Sequence, residues 1–218
     1  ARYAVHVVVT RDVELGLELL DARLVGLGET EAGEFGRHGD CAEAGGGRVL
    51  DFGIAAEGGL GAGLALAQVC TAGLAEISLV PGEIEGTGWP HVLVATDHAV
   101  AACLFSQYAG WQISVGKFFA MGSGPMRAAA AREELFEKLG YKETAVEIVG
   151  VLETSRLPGD AVVEYIAERA AVAADKVRLL AAPTSSQSGN IQVVARSIET
   201  ALHKLFELGF DMKCIASG

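Results

Sequence analysis

Aromatic side chains make up only 6% of this chain, with 4 cysteines and 5 prolines in 218 residues. Each scarcity excludes something. Cys41, Cys70, Cys103 and Cys214 lie far apart with no Cys-x-x-Cys, so neither a disulfide framework nor a zinc-ligand spacing is expected. Buried free thiols in a reducing compartment are the expected reading. Few aromatics beside abundant Ala, Val, Leu and Gly argue for layered α/β packing rather than a β-sandwich. Positive charge is scarce too. The 17 Lys and Arg face 28 Asp and Glu, a net charge of −11, which argues against non-specific binding to nucleic acid or to an anionic membrane. No stretch of 18 apolar residues is present, so no spanning helix is expected. No basic segment leads into an apolar core at the start, so no secretory signal is expected, and the cytoplasm is the expected compartment. There is no Gly-x-x-x-x-Gly-Lys, and no Gly-x-Gly-x-x-Gly follows a strand.

What is present reads as alternating elements. The length suits one large domain or two small ones. Residues 1–46 are the least patterned, with a strand expected at Tyr3–Thr10, a helix at Val13–Leu20 and a loop at Gly26–Gly47. Strands are expected at Arg48–Ile54, Ala75–Val80, His91–Thr96, Trp111–Val115, Val146–Leu152 and Lys176–Ala181. Helices are expected at Leu60–Ala72, from an Asp97 cap to Ser106, from Pro125 to Leu139, at Gly159–Ala171, and over 189–209 closed by Gly209. Gly82–Pro90, Phe118–Pro125 and Ala182–Ser188 read as loops.

The long C-terminal helix carries the most information. Ile191, Val194, Ile198, Leu202 and Leu205 fall on one face. Gln192, Arg196, Glu199 and His203 step by four, three and four and share another. A carboxylate beside a fixed cation can hold, orient and deprotonate water. Spacing alone favours the commoner reading, a solvated surface pair. The order tempers it, because helix stabilisation prefers the acid N-terminal to the base, and here the Arg comes first. Two Gly/Pro loops, Gly122–Pro125 and Pro183–Gly189, run into helix starts and are candidate anion sites, with Ser123 or Thr184 adding a hydroxyl; ordinary turn chemistry is the plainer alternative. Ser106-Gln107-Tyr108 followed by Gly110-Trp111 sets polar and aromatic groups at a helix end, a candidate wall for a flat heterocycle, with a buried core aromatic at least as common a reading. Glu153, at a strand end, ranks lower, since such ends are usually solvated.

Several motifs carry a resemblance. Asp97-His98, Ala102-Cys103-Leu104, Ser106-Gln107, Ala109-Gly110-Trp111, Phe119 through Pro125, Ala182-Pro183-Thr184, and Gln192 with Arg196-x-x-Glu199 resemble the methenyltetrahydromethanopterin cyclohydrolases from about Gly47 onward. The resemblance implies a mixed α/β (α+β) fold of two lobes, with the active site in the cleft between them and a lobe boundary near 115–145, preceded by an unmatched segment 1–46. It implies a homotrimer that opens a cationic methenyl-pterin with water to the formyl form, with no metal or redox cofactor. Arg196 and Glu199 match the catalytic pair; Gln107, Ser123, Gly124, Thr184 and Gln192 are the expected substrate-binding residues. Ala99, Phe105 and Met126 stand where the family has Pro, Gly and Ala, and Ser185 and Asn190 also depart; Phe105 and Met126 are expected to report on the pocket. The family's pattern continues past Gly218 through a Gly/Pro-rich segment and a further sheet. Two alternatives remain: a non-catalytic pterin-binding or assembly protein, and a homologue acting on a folate-type heterocycle.

Overall fold

The computed structural model describes residues 41–218. The strand at Tyr3–Thr10 and the helix at Val13–Leu20 lie outside the described residues. The end of the loop expected at Gly26–Gly47 is part of a hairpin, β1 (Cys41–Ala44) and β2 (Gly47–Asp51). Its turn, Gly45-Gly46, has φ of +57° and +87°, which glycine adopts without a Cβ clash.

In chain order follow α1 (Leu60–Cys70), a hairpin of β3 (Glu76–Ile84) and β4 (Thr87–Ala95), α2 (Val100–Gln107), and a hairpin of β5 (Trp111–Val115) and β6 (Phe118–Ser123). Then come α3 (Pro125–Ala130), α4 (Glu134–Leu139), β7 (Ile148–Glu153), α5 (Asp160–Ala170), β8 (Val177–Ala182), α6 (Gln187–Val194) and α7 (Ser197–Glu207). The main sheet has the order β1-β2-β8-β7-β6-β5. Its centre, β2-β8-β7, is parallel, and its flanks are antiparallel. This is a mixed α/β architecture. β6, within the region 115–145, pairs with β7 in the same sheet. Among the described residues no helix is long and apolar enough to cross a membrane.

Side chains alternate between two cores, as the pleat requires. Val49, Ile148, Leu152, Leu179 and Ala181 point to the face covered by α3 and α5. Leu50, Val149, Val151, Leu180 and Ala182 point to the face covered by α1, and α6 packs against α1. A third cluster gathers α2, α4 and α7 around Leu104, Phe136 and Leu202. The parallel strands are apolar on both faces because helices cover both.

Five departures from the sequence pattern have physical causes. Gly82–Pro90 is not a loop: β3 and β4 run through it and turn at Glu85-Gly86, with φ of +50° and +79°. Phe118–Ser123 is likewise a strand, β6. Asp97 does not cap α2; the Thr96 hydroxyl accepts from the His98 N–H at 3.0 Å instead. α2 itself is π-type, with the Tyr108 N–H reaching back five residues to the Cys103 carbonyl at 3.1 Å. The helix expected to Leu139 breaks into α3 and α4 at Ala131, whose φ is +45°.

Candidate active site

The carboxyl ends of β2, β8 and β7 lie side by side, with Asp51 opposite Ala181 and Glu153 opposite Ala182. Open sheets place ligands at such edges. Asp51 organises the first loop there. Its Oδ1 accepts from the Gly53 and Ile54 N–H groups at 2.9 and 2.7 Å, and Oδ2 from those of Ala55 and Ala56 at 2.7 and 3.1 Å. Burial opposes the charge, but the four donors hold the carboxyl below its ordinary range.

The helix expected over 189–209 is two helices meeting at Arg196. The Gln107 side chain, fully buried, donates Nε2 to the Ala195 carbonyl at 3.0 Å. The Arg196 N–H turns to the Val193 carbonyl at 3.2 Å, a bond three residues back, and α7 restarts with the Thr200 N–H on the Arg196 carbonyl at 2.9 Å. Arg196 therefore sits at the junction, outside regular helix geometry, with φ −92° and ψ 18°.

That break redirects Arg196. Helical spacing predicts that it meets Glu199 over one patch. Instead its NH2 group donates to Glu153 Oε1 and, at 2.9 Å, to Gln192 Oε1. Gln192 closes the triangle by donating Nε2 to Glu153 Oε1 at 3.0 Å. Both charged side chains are 13% exposed, so the pair is shielded but not sealed. Glu153, ranked low from sequence as a strand end, is the direct partner of Arg196. Its signal was the strand-end position alone; the pairing is a contact 43 residues away in sequence.

Glu199 lies one turn beyond, 5% exposed, and its carboxylate takes part in no hydrogen bond among the described residues. Burial pushes its carboxyl above the ordinary range; Arg196 and Arg127 pull it down, and Glu153 adds to the rise. Arg196 and Glu199 thus sense one another through space without a hydrogen bond.

The other expected binding residues divide. Gln192 belongs to the triangle. Beneath it the Cys70 thiol lies 3.6 Å from Gln192 Oε1 and 3.3 Å from the Ser123 hydroxyl. Ser123 is fully buried. The Gly124 N–H is engaged by the Ser106 carbonyl at 2.8 Å, and α3 behind it is only 6 residues long. Thr184 is exposed in the loop after β8. In that loop Ser186 caps α6, accepting from the Gly189 N–H at 3.1 Å. Gln107 is a helix-junction ligand. Tyr108 lies against His203 with the rings tilted by 31° and centroids 4.4 Å apart, and the Arg127 guanidinium lies over the Tyr108 ring, 4.8 Å away. A cavity of about 710 Å³ between α4 and the end of α7 includes Tyr108 and His203 but neither Arg196 nor Glu199.

Phe105 and Met126, expected to report on the pocket, fill core instead. Phe105 stacks on Tyr141 at 4.1 Å. Met126, with no exposed surface, occupies the space a side chain at Gly150 would take. Cys70 and Cys103 are buried free thiols, as expected, but Cys214, at the end of a short 3-10 turn past α7, is exposed.

The family described as Cyclohydrolase (MCH) matches residues 39–218. The methenyltetrahydromethanopterin cyclohydrolase of Methanosarcina mazei is 47% identical over 174 residues, covering 79% of this chain and 54% of that protein. That of Xanthobacter autotrophicus is 46% identical over 170 residues, covering 78% and 50%. That of Methylobacterium sp. is 44% identical over 183 residues, covering 81% and 56%. The chain thus spans about half the length of the curated relatives it matches.

Proposed function

The chain belongs to the MCH cyclohydrolase family, and on that premise we propose that it adds water to a methenyl-tetrahydromethanopterin-type cation and opens it to the formyl form in one-carbon metabolism. The observation that carries the reading is a buried carboxylate, Glu199, left free of hydrogen bonds beside a fixed guanidinium, Arg196. The substrate carbon is already electrophilic, so the protein's task is to place a water and accept its proton.

Glu199 is the base. The water oxygen bonds to the methenyl carbon as Glu199 takes one proton, leaving a neutral carbinol. The C–N bond then breaks as Glu199 returns that proton to the departing nitrogen. The carbonyl forms, and the hydroxyl proton leaves to solvent. The net change is one water consumed and one proton released. Arg196 orients the water and Glu199 and favours the ionised carboxylate. Gln192, Ser123, Gly124, Thr184 and Gln107 build the surrounding wall, Gln107 by holding the helix junction. The ring system lies in a cleft between two lobes, the assembly is a homotrimer, and the compartment is the cytoplasm.

The test is loss of ultraviolet absorbance of methenyl-tetrahydromethanopterin on adding the protein, with methenyl-tetrahydrofolate as control. Turnover of the first above its spontaneous rate supports the reading. Turnover of the folate alone redirects it to that heterocycle, and turnover of neither defeats it.

A further inference from the structure

The geometry raises a question the proposed reaction does not answer: what keeps Arg196 from pairing with Glu199? A carboxylate locked in a bidentate ion pair is a poor base, because the pair favours its charged form and occupies its lone pairs. Arg196 and Glu199 are three residues apart and mutually charged, yet no hydrogen bond joins them. Among the described residues the guanidinium donates through NH2 to Glu153 and to Gln192, and the Cys70 thiol also lies within its reach. Its Nε is buried with no partner, so the guanidinium has donor capacity to spare.

We propose that Glu153 is a positioning residue: together with Gln192 it fixes the Arg196 guanidinium at the end of β7 and so keeps the Glu199 carboxylate free to accept a proton from water. This rests on the catalytic reading of Glu199 above. The fold supplies the pieces separately. Glu153 comes from the last position of β7, Gln192 from the last turn of α6, and Arg196 from the junction that Gln107 opens. Several charged and titratable groups among the described residues act on Glu199. They are Arg196 at the head of its own helix, Arg127 of α3, Glu153 of β7, Cys103 of α2 and Tyr108 just past α2. Of these, only Glu153 both repels Glu199 and binds Arg196, the cation with the larger effect on it.

The experiment reads Glu199 directly. The titration of its carboxyl carbon is followed by carbon-13 NMR in the wild type, Glu153→Gln, Arg196→Met and the double variant. Glu153→Gln preserves shape but frees Arg196, so the Glu199 midpoint is expected to fall by about one unit or more. In the Arg196→Met background the same substitution leaves only the lost repulsion, and the fall should shrink to less than about half. An unmoved midpoint, or an equal fall in both backgrounds, overturns the proposal. Glu153→Asp, which keeps the charge one methylene further back, gives a smaller fall in the same direction and serves if Glu153→Gln does not fold. Where turnover is present, Glu153→Gln should lower kcat and move the acid limb of kcat/KM to lower pH, a shift that a structural defect would not produce. Absence of turnover in the wild type would defeat the proposed function but leave the titration to decide this arrangement.

Discussion

Glu199 illustrates how much a single residue's environment sets its chemistry. Burial raises its pKa and two arginines restrain the rise. Because the folded-state value lies above the unfolded 4.5, the protonated form binds to the fold preferentially. Its contribution to stability is therefore fully present below the unfolded value and is lost as pH rises through the folded one. At neutral pH the ionised carboxylate is a stability cost. Glu199→Gln removes that cost and the base together. It should melt at the same temperature or higher and bind substrate normally, while turning over about 10²- to 10⁴-fold more slowly. Thermal melting, equilibrium binding and initial rates on one preparation check all three. Near-normal turnover would remove Glu199 from the reaction. The thiols show the same effect without catalysis. Burial pushes Cys70 up to about 11 and Cys103 to about 12, whereas Cys214 is exposed. Thiolate is the reactive form. A disulfide reagent at neutral pH should label Cys214 in the native protein and leave Cys70 and Cys103 unlabelled until denaturant is added, as read by peptide mass mapping.

At the scale of elements, the sequence was legible wherever one local pattern decided the outcome. Trp111–Val115 is a strand at the expected residues, and Pro125 opens a helix as its fixed φ favours. Legibility ended where a distant contact overrode a local pattern. The periodicity of 189–209 is real, but the Gln107 amide on the Ala195 carbonyl divides the helix, and that contact spans 88 residues. Gly82–Pro90 reads as a loop because its three glycines and Pro90 are loop signals that an exposed hairpin also tolerates. The residues of the site were readable as types and its pairing was not. Gln192, Arg196 and Glu199 announced themselves by spacing, whereas Glu153 became a partner only through the parallel pairing of β7 with β8. Helix ends show a further limit. α3 and α5 both stop on an alanine in the left-handed region, Ala131 at φ +45° and Ala171 at +58°, where glycine is the expected residue. Ala171 is exposed. Ala171→Gly should remove a Cβ clash of about 1 kcal/mol, offset in part by added freedom of the unfolded chain. A rise in the urea midpoint is expected; a fall would mean that chain entropy outweighs the clash.

Across the whole molecule, one buried side chain joins the helical layer to the site. Arg127 has no exposed surface and lies between the rings of Tyr108 and Phe136, 4.8 and 5.0 Å away. NH1 donates to the Leu104 and Phe105 carbonyls at 2.9 and 2.8 Å, near the end of α2, while Nε and NH2 donate to Glu133 at the start of α4. Arg127 thus ties α2, α3 and α4 together. α2 ends in Gln107, whose amide holds the α6–α7 junction where Arg196 sits. Burial depresses the Arg127 pKa, and Glu133 is the main opposing influence. Removing the cation alone leaves Glu133 shielded and unpaired and two buried carbonyls without donors. Arg127→Met should therefore destabilise by about 3–5 kcal/mol. Adding Glu133→Gln removes the stranded charge, so the double variant should recover part of the loss while the carbonyls stay unsatisfied. Urea denaturation of the two single variants and the double gives the coupling directly. If the losses simply add, Arg127 acts on the carbonyls of α2 alone, and its pairing with Glu133 contributes nothing to the fold.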